Sequence, residues 1–192
     1  MNRRSFLAGL SAAASVHAQS VNDREAIYAR IEDNQAAHIH KIQEYVRQVS
    51  ISSENRGMRE CAELTRKYLS EAGCQETSIV NTAGNPVVWG WLDAKAKKTL
   101  IVYWMYDVQP VNEAEWTTPP FEARLVAAPA WGPEGRIIRG RGAQNQKGPQ
   151  RAFLNAVEEI RAQTGGLPVN PAGSTMAMPM RPCRCGFSPL SA

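Results

Sequence analysis

The apolar, β-branched run Thr99-Leu100-Ile101-Val102 leads into Tyr103-Trp104-Met105-Tyr106-Asp107-Val108-Gln109-Pro110, and this passage constrains the fold more than any other. Such a run reads as a buried strand that ends in a carboxylate. In open α/β sheets chemistry collects just beyond the carboxyl ends of strands, which puts Asp107 where a site would be. A second run, Arg139-Gly140-Arg141-Gly142-Ala143-Gln144-Asn145-Gln146-Lys147-Gly148-Pro149, is a glycine-rich turn leading into a helix that begins near Pro149. Between the two lie Trp116-Thr117-Thr118-Pro119-Pro120-Phe121-Glu122 and a β-hairpin reaching Ile138.

The surrounding pattern is that of an α/β domain. Residues 23–49 place Ile27, Ile31, His38, Ile42, Tyr45, Val46 and Val49 near helical spacing. His38 and His40 are two apart, so on a helix they point in different directions and cannot share a metal. A polar connection over 51–55 precedes a helix over 56–72, which Gly73 ends. Strands are predicted over 76–81, 87–92 and 99–106, separated by Gly84-Asn85-Pro86 and a charged turn over 93–98. The order helix, helix, strands, helix is the opening of a domain with one mixed sheet. Glu158 and Glu159, within the last helix, read as a solvated face. Cys61 and Cys74 are either a disulfide pair of an oxidising compartment or buried free thiols.

Met1 to Ala18 reads as an export signal: Arg3-Arg4 precede Ser5-Phe6-Leu7, a small-residue apolar run reaches Val16, and Val16-His17-Ala18 offers a cleavage site. The Arg-Arg-Ser-Phe-Leu order looks like a twin-arginine address, so a periplasmic or secreted location is expected. No other apolar stretch approaches the ~20 residues of a spanning helix. Loss of Arg3 and Arg4 with the signal takes the formal net charge from +4 to +2. That balance, with no basic stripe interleaved with aromatics, argues against a nucleic-acid partner.

The two runs and their spacer, in this order, resemble the zinc peptidase family of carboxypeptidase G, aminoacylase, acetylornithine deacetylase and the carnosine-type dipeptidases, closest to the dipeptidase-like branch. There the strand ends in Gly-His-x-Asp-Val-Gln-Pro, a Trp-x-x-x-Pro-Phe loop follows, and then comes Gly-Arg-Gly-x-x-Asp-x-Lys-Gly. The likeness covers roughly Ala26 to Asn170. It implies a partial α/β catalytic domain over 23–170, a mixed sheet flanked by helices, without the lid domain. It also implies amide hydrolysis by metal-activated water, a small peptide or N-acyl amino acid as substrate, zinc as cofactor, and homodimers for full-length relatives.

The resemblance assigns roles to three positions, and two of them depart from the pattern. Met105 stands where the family has a zinc-binding His, and Asn145 where it has the Asp that bridges two zincs. A neutral thioether suits Zn²⁺ poorly, and an amide oxygen carries no charge to offset two dications. Asp107 is retained, and its implied role is to orient the His imidazole two residues earlier. Met105 has no N–H to offer it. Activity is therefore expected to be impaired or absent, which leaves a non-catalytic remnant or a binding protein as the alternative.

After Gly165-Gly166, Leu167-Pro168-Val169-Asn170 leads toward a further core strand, but the composition then shifts to prolines and small residues. Residues 171–192 read as a disordered or aberrant tail, and the chain as a truncated or frameshifted product. Met176, Met178, Met180, Cys183 and Cys185 place five soft sulfur ligands in that tail, so a copper-binding exported protein is a further alternative.

Overall fold

The computed structural model describes residues 23–132 and 135–176. The predicted N-terminal helix forms as α1 (residues 23–33) and α2 (Gln35–Arg47), with a turn residue, Asn34, between them. Helical hydrogen bonds run through the break, from Asn34 N to Arg30 O and from His38 N to Asn34 O. Next come α3 (Met58–Glu71), β1 (Glu76–Val80), β2 (Val87–Trp91) and β3 (Thr99–Trp104). A separate hairpin, β4 (Arg124–Ala127) and β5 (Arg136–Arg139), precedes α4 (Lys147–Thr164) and β6 (Asn170–Met176).

The main sheet has the order β1-β2-β6-β3. β6 runs antiparallel to β2 and parallel to β3, so the sheet is mixed, as the pattern implied. Its core gathers Tyr45, Cys61, Tyr68 and Leu69 from the helices against Val88 and Leu92, with Leu154 and Val157 of α4. A polar triad is buried in this core: the hydroxyls of Tyr45 and Thr65 lie 2.9 Å apart, and Tyr45 Oη donates to Gln150 Oε1 at 3.0 Å. Full pairing of buried polar groups is what keeps such a triad from destabilising a core.

Helices cover one face of this sheet. The register aligns Trp89 with Tyr103 across β6 and Ile101 with Trp91, so these side chains share the other face. Among the described residues Val80, Trp89, Ile101 and Tyr103 remain exposed there, Ile101 at 76%. The expected mixed sheet flanked by helices is thus present, with the helices on one face among the described residues. No helix among them is long and apolar enough to cross a membrane.

Two expectations need correction. The chain does not lose its regular structure at Pro171: Asn170–Met176 is a central strand. Proline is tolerated because Pro171 O accepts from Leu92 N, which points the missing donor toward β2, whose ladder ends at the Trp91–Ala172 pair. The sulfur-rich run is divided accordingly, with Met176 in this strand and Met178, Met180, Cys183 and Cys185 outside the described residues. The export signal over 1–18 also lies outside them.

Glu158 and Glu159 are not a solvated face. Glu159 is 6% exposed; its carboxylate accepts from Arg30 Nε and Asn34 Nδ2, both at 3.0 Å, and lies 3.3 Å from His38 Nε2. Glu158 accepts from Lys41 Nζ at 2.7 Å and from Arg151. The pair clamps α1 and α2 onto α4, which explains why acids sit where helical periodicity alone suggested solvent. Of the two alternatives for the described cysteines the structure shows free thiols, Cys61 buried and Cys74 half-buried.

Candidate functional site

The passage beyond β3 is held by backbone contacts rather than by its own side chains. Ser50 Oγ donates to Tyr106 O at 2.6 Å, and Val108 N donates back to Ser50 O at 2.8 Å. Tyr106 is buried, and its hydroxyl donates to Pro86 O at 2.8 Å. Gln150 Nε2 donates to Met105 O. Residues 105–108 are therefore pinned from α4 and from the connection after α2, and Asp107 is left half-buried with Oδ2 accepting from Ser52 Oγ at 2.9 Å.

The glycine-rich turn faces this passage. Gly142 has φ +90°, and a Cβ there would stand 2.9 Å from Val108 Cγ1, so both the backbone and the close approach require glycine. Gly148 N donates to Gly142 O, and a Cβ at Gly148 would fall 1.8 Å from Ala143 O. Gln146, immediately before α4, takes φ +78°, ψ −85°, a strained conformation for a residue with a side chain. Arg141 N donates to Pro120 O at 2.7 Å, and its guanidinium lies 5.1 Å from the centre of the Trp116 ring. The Trp116 to Phe121 loop thus props the turn from outside.

Met105, Asp107, Val108 and Gln109 form one wall of a cavity of about 220 Å³, and Arg141, Gly142, Asn145 and Gln146 form the other. The three residues singled out from the sequence, Met105, Asp107 and Asn145, thus meet in one place. The sequence reading missed Arg141, Gln109, Gln146 and Ser52; Arg141 lay within the quoted turn, but nothing in its spacing showed that it lines the same cavity as Asp107. A larger groove of about 910 Å³ lies on the far side of the same turn, lined by Ile39, Ile42, Trp116, Leu125 and Trp131 among others. Among the described residues its titratable lining is Arg136 and Arg139, whereas the smaller cavity is lined by a carboxylate and a guanidinium residue, Asp107 and Arg141.

Behind Asp107 the interior carries a cation. Lys147 is fully buried; its Nζ donates to Gln48 O and lies 5.4 Å from the centre of the Tyr45 ring. Desolvation pushes the Lys147 ammonium below its ordinary pKa, while Cys61 and Asp107 act in the opposite direction. Burial pushes the Cys61 thiol up, against the pull of Lys147.

The donor set does not suit zinc. A zinc site takes three or four ligands from His, Cys, Asp and Glu, and this cavity offers one, Asp107. Among the described residues no three such side chains gather anywhere. His38 and His40 are on α2, remote from this role, and His38 faces Glu159.

No protein-family model matches the chain. A Cys-Gly metallodipeptidase of Candida albicans is 36% identical over 106 residues, which cover 53% of this chain and 21% of that protein. Among solved structures, a metallo-carboxypeptidase of the M20 family from Sulfolobus solfataricus aligns with TM-score 0.65 and 30% identity, covering 73% of this chain and 30% of its own. A di-peptidase from Saccharomyces cerevisiae aligns with TM-score 0.67 and 26% identity, covering 80% of this chain and 34% of its own. The chain spans about a third or less of the relatives it matches. The resemblance read from the motifs is thereby borne out over the matched part, and the mixed α/β fold is that of M20 peptidase catalytic domains.

Proposed function

We propose, from the premise that the matched part of this chain is built as in the M20 zinc peptidases, that it carries part of a dipeptidase- or N-acyl-amino-acid-amidohydrolase-like catalytic domain whose metal centre has been lost by substitution. It then acts as a small-molecule-binding remnant of a hydrolase rather than as a working one. The observation that carries this reading is the meeting of Met105, Asp107 and Asn145 in a single cavity beyond β3. The inherited positions are assembled, but with a thioether and a carboxamide in place of charged or imidazole ligands.

What the chain's own groups do there follows from their chemistry. Asp107, held by Ser52, presents a fixed negative charge, and Arg141, stacked on Trp116, presents a positive one. The carboxamides of Gln109, Asn145 and Gln146 can both donate and accept. Such a set binds and orients a polar ligand but supplies no activated water. Export to the periplasm through residues 1–18 is part of the same proposal, motivated by the twin-arginine-like order at Arg3-Arg4.

Metal content and turnover test this directly. Freshly purified chain is expected to carry no stoichiometric zinc by atomic emission and to hydrolyse no member of a dipeptide panel in a chelator-sensitive way. Tight zinc with chelator-sensitive turnover that added zinc restores would refute it.

A further inference from the structure

We infer that the groove between α2, the β4–β5 hairpin and the start of α4 binds an alkyl carboxylate, a ligand of fatty-acid type with its anionic head on Arg136. The groove lies on the far side of the glycine-rich turn, so this does not depend on whether the smaller cavity holds a metal.

Its size and lining suit an apolar chain. The groove measures about 910 Å³, in the upper part of the roughly 300–1,000 Å³ of small-molecule sites. Gln35, Ile39 and Ile42 line it from one face of α2, and Pro149 and Ala152 from the first turns of α4. Trp116 and Trp131 are the aromatic part of the lining. The Trp116 ring is held by the Arg141 guanidinium, whereas Trp131 is 81% exposed, apolar surface that a ligand would cover.

The charge in the lining selects an anionic head. Of β4 only Leu125 reaches the groove, so the hairpin turns toward it the face that carries Leu125 and its cross-strand partner Ile138. Residues two apart in a strand share a face, which puts Arg136 there as well. The Arg136 guanidinium makes no hydrogen bond or ion pair among the described residues. Arg139, on the opposite face with its partner Arg124, donates instead to Thr117 Oγ1 at 2.7 Å. No carboxylate stands in the lining among the described residues, so a cationic head meets only positive charge and an anionic one finds a partner. The neutral polar side chains of the lining are two, Gln35 and Gln144. A peptide brings a polar amide at every residue and needs partners for each, whereas an alkyl chain needs none.

Titration of the full chain with decanoate, followed by calorimetry and tryptophan emission, tests this. Decyltrimethylammonium and 1-decanol carry the same chain with a cationic and a neutral head. Decanoate is expected to bind and shift the emission to shorter wavelength, and the other two to bind about tenfold or more weaker, the loss of one charge-assisted contact. Arg136→Gln should weaken decanoate about tenfold and leave 1-decanol unchanged, which a merely structural role would not produce. Trp131→Ala, at an exposed position, should weaken all three with the melting temperature unchanged. No heat or emission shift at millimolar decanoate, a cation bound as well as the anion, or an Arg136→Gln chain that binds decanoate like the natural one would overturn the inference. So would binding confined to anionic phospholipid vesicles or to an acidic peptide, or a dimer that Trp131→Ala dissolves, each of which gives the groove another occupant. Zinc content and turnover of the same preparation decide the lost metal centre separately.

Discussion

Arg151 offers the sharpest test of how α4 is held. Its side chain is fully buried, yet it carries a permanent charge. Nε donates to Asn155 Oδ1 at 2.9 Å, Nη2 donates to Glu158, and the guanidinium lies 4.6 Å from the centre of the Tyr68 ring. Breaking one side of a buried ion pair costs about 3–5 kcal/mol when the partner is left uncompensated. Here the partner is not orphaned, because Lys41 Nζ stays 2.7 Å from Glu158 Oε2. Nη1 is already buried without an acceptor among the described residues, and removing it relieves a penalty of about 1–3 kcal/mol.

Against that relief stand two hydrogen bonds from a charged donor, a desolvated cation–π contact of about 2 kcal/mol and the cavity left by truncation. The balance for Arg151→Ala is a loss of about 3 kcal/mol, and for Arg151→Met, which keeps most of the volume, about 1–2 kcal/mol. At roughly 2–4 °C per kcal/mol for a chain of this size, the alanine variant should melt about 6–12 °C lower. Urea titration followed by circular dichroism gives the free energies. Adding Lys41→Met to Arg151→Ala leaves Glu158 without either cation, so the double loss should exceed the sum of the single ones. An alanine variant within about 1 kcal/mol of the natural chain would refute the reasoning.

Alkaline pH should destabilise the fold. Burial raises the pKa of Cys61 above 9.0 and those of Tyr45 and Tyr106 above 10.0, so each contributes stability that is full below those unfolded values and is lost as pH rises through them. Cys74, pushed up to about 11 by burial, adds to this, whereas Lys147, pushed down from 10.5, contributes stability that grows toward high pH. Between pH 8 and pH 10 the two cysteines oppose Lys147, and above pH 10 the tyrosines add to the loss, so the melting temperature is expected to fall from pH 9 to pH 11; a rise would count against it. The bare edge of β3 gives the other prediction. Thr99–Trp104 has no charge, proline or glycine to discourage pairing, and Leu100, Ile101 and Tyr103 are exposed. The chain should self-associate in sedimentation velocity and Ile101→Lys should reduce this, whereas a monomeric natural chain would contradict it.

The elements most legible in the sequence were those whose local signals agreed. The β-branched run at Thr99, the glycine pair ending the helix at Thr164 and the apolar stripe of α3 each combine period and punctuation, but the expected burial of the first is not seen: among the described residues β3 is an edge strand with Leu100, Ile101 and Tyr103 exposed. β6 was missed because Asn170-Pro171-Ala172-Gly173-Ser174-Thr175-Met176 has neither; its strand character comes from neighbours on both sides, and small residues with a proline look locally like a loop. Glu158 and Glu159 were misplaced for the same reason, since their partners Arg30, Asn34, Lys41 and Arg151 are supplied largely by distant elements. The meeting of Met105, Asp107 and Asn145 could be anticipated only through the resemblance, and the opposing Arg141 only from the structure.

On the proposed reading the scaffold outlives its metal because, among the described residues, the contacts that shape the cavity need none. The passage after β3 is fixed by Ser50, Gln150 and Pro86, and the facing turn by Pro120, by Gly142 with Gly148, and by Trp116 beneath Arg141. Each contact uses backbone groups or side chains outside the two altered positions. A ligand position whose side chain points into a cavity and holds up nothing else can change to methionine or asparagine at little cost in folding free energy. Arg141 is the arginine of the Gly-Arg-Gly motif itself, so it belongs to the inherited frame rather than to the change at Met105 and Asn145. On the proposed reading Met105 and Asn145 take ligand capacity out of the cavity while Asp107 and Arg141 stay in its lining, so what changes is its hold on a cation and not the frame that shapes it.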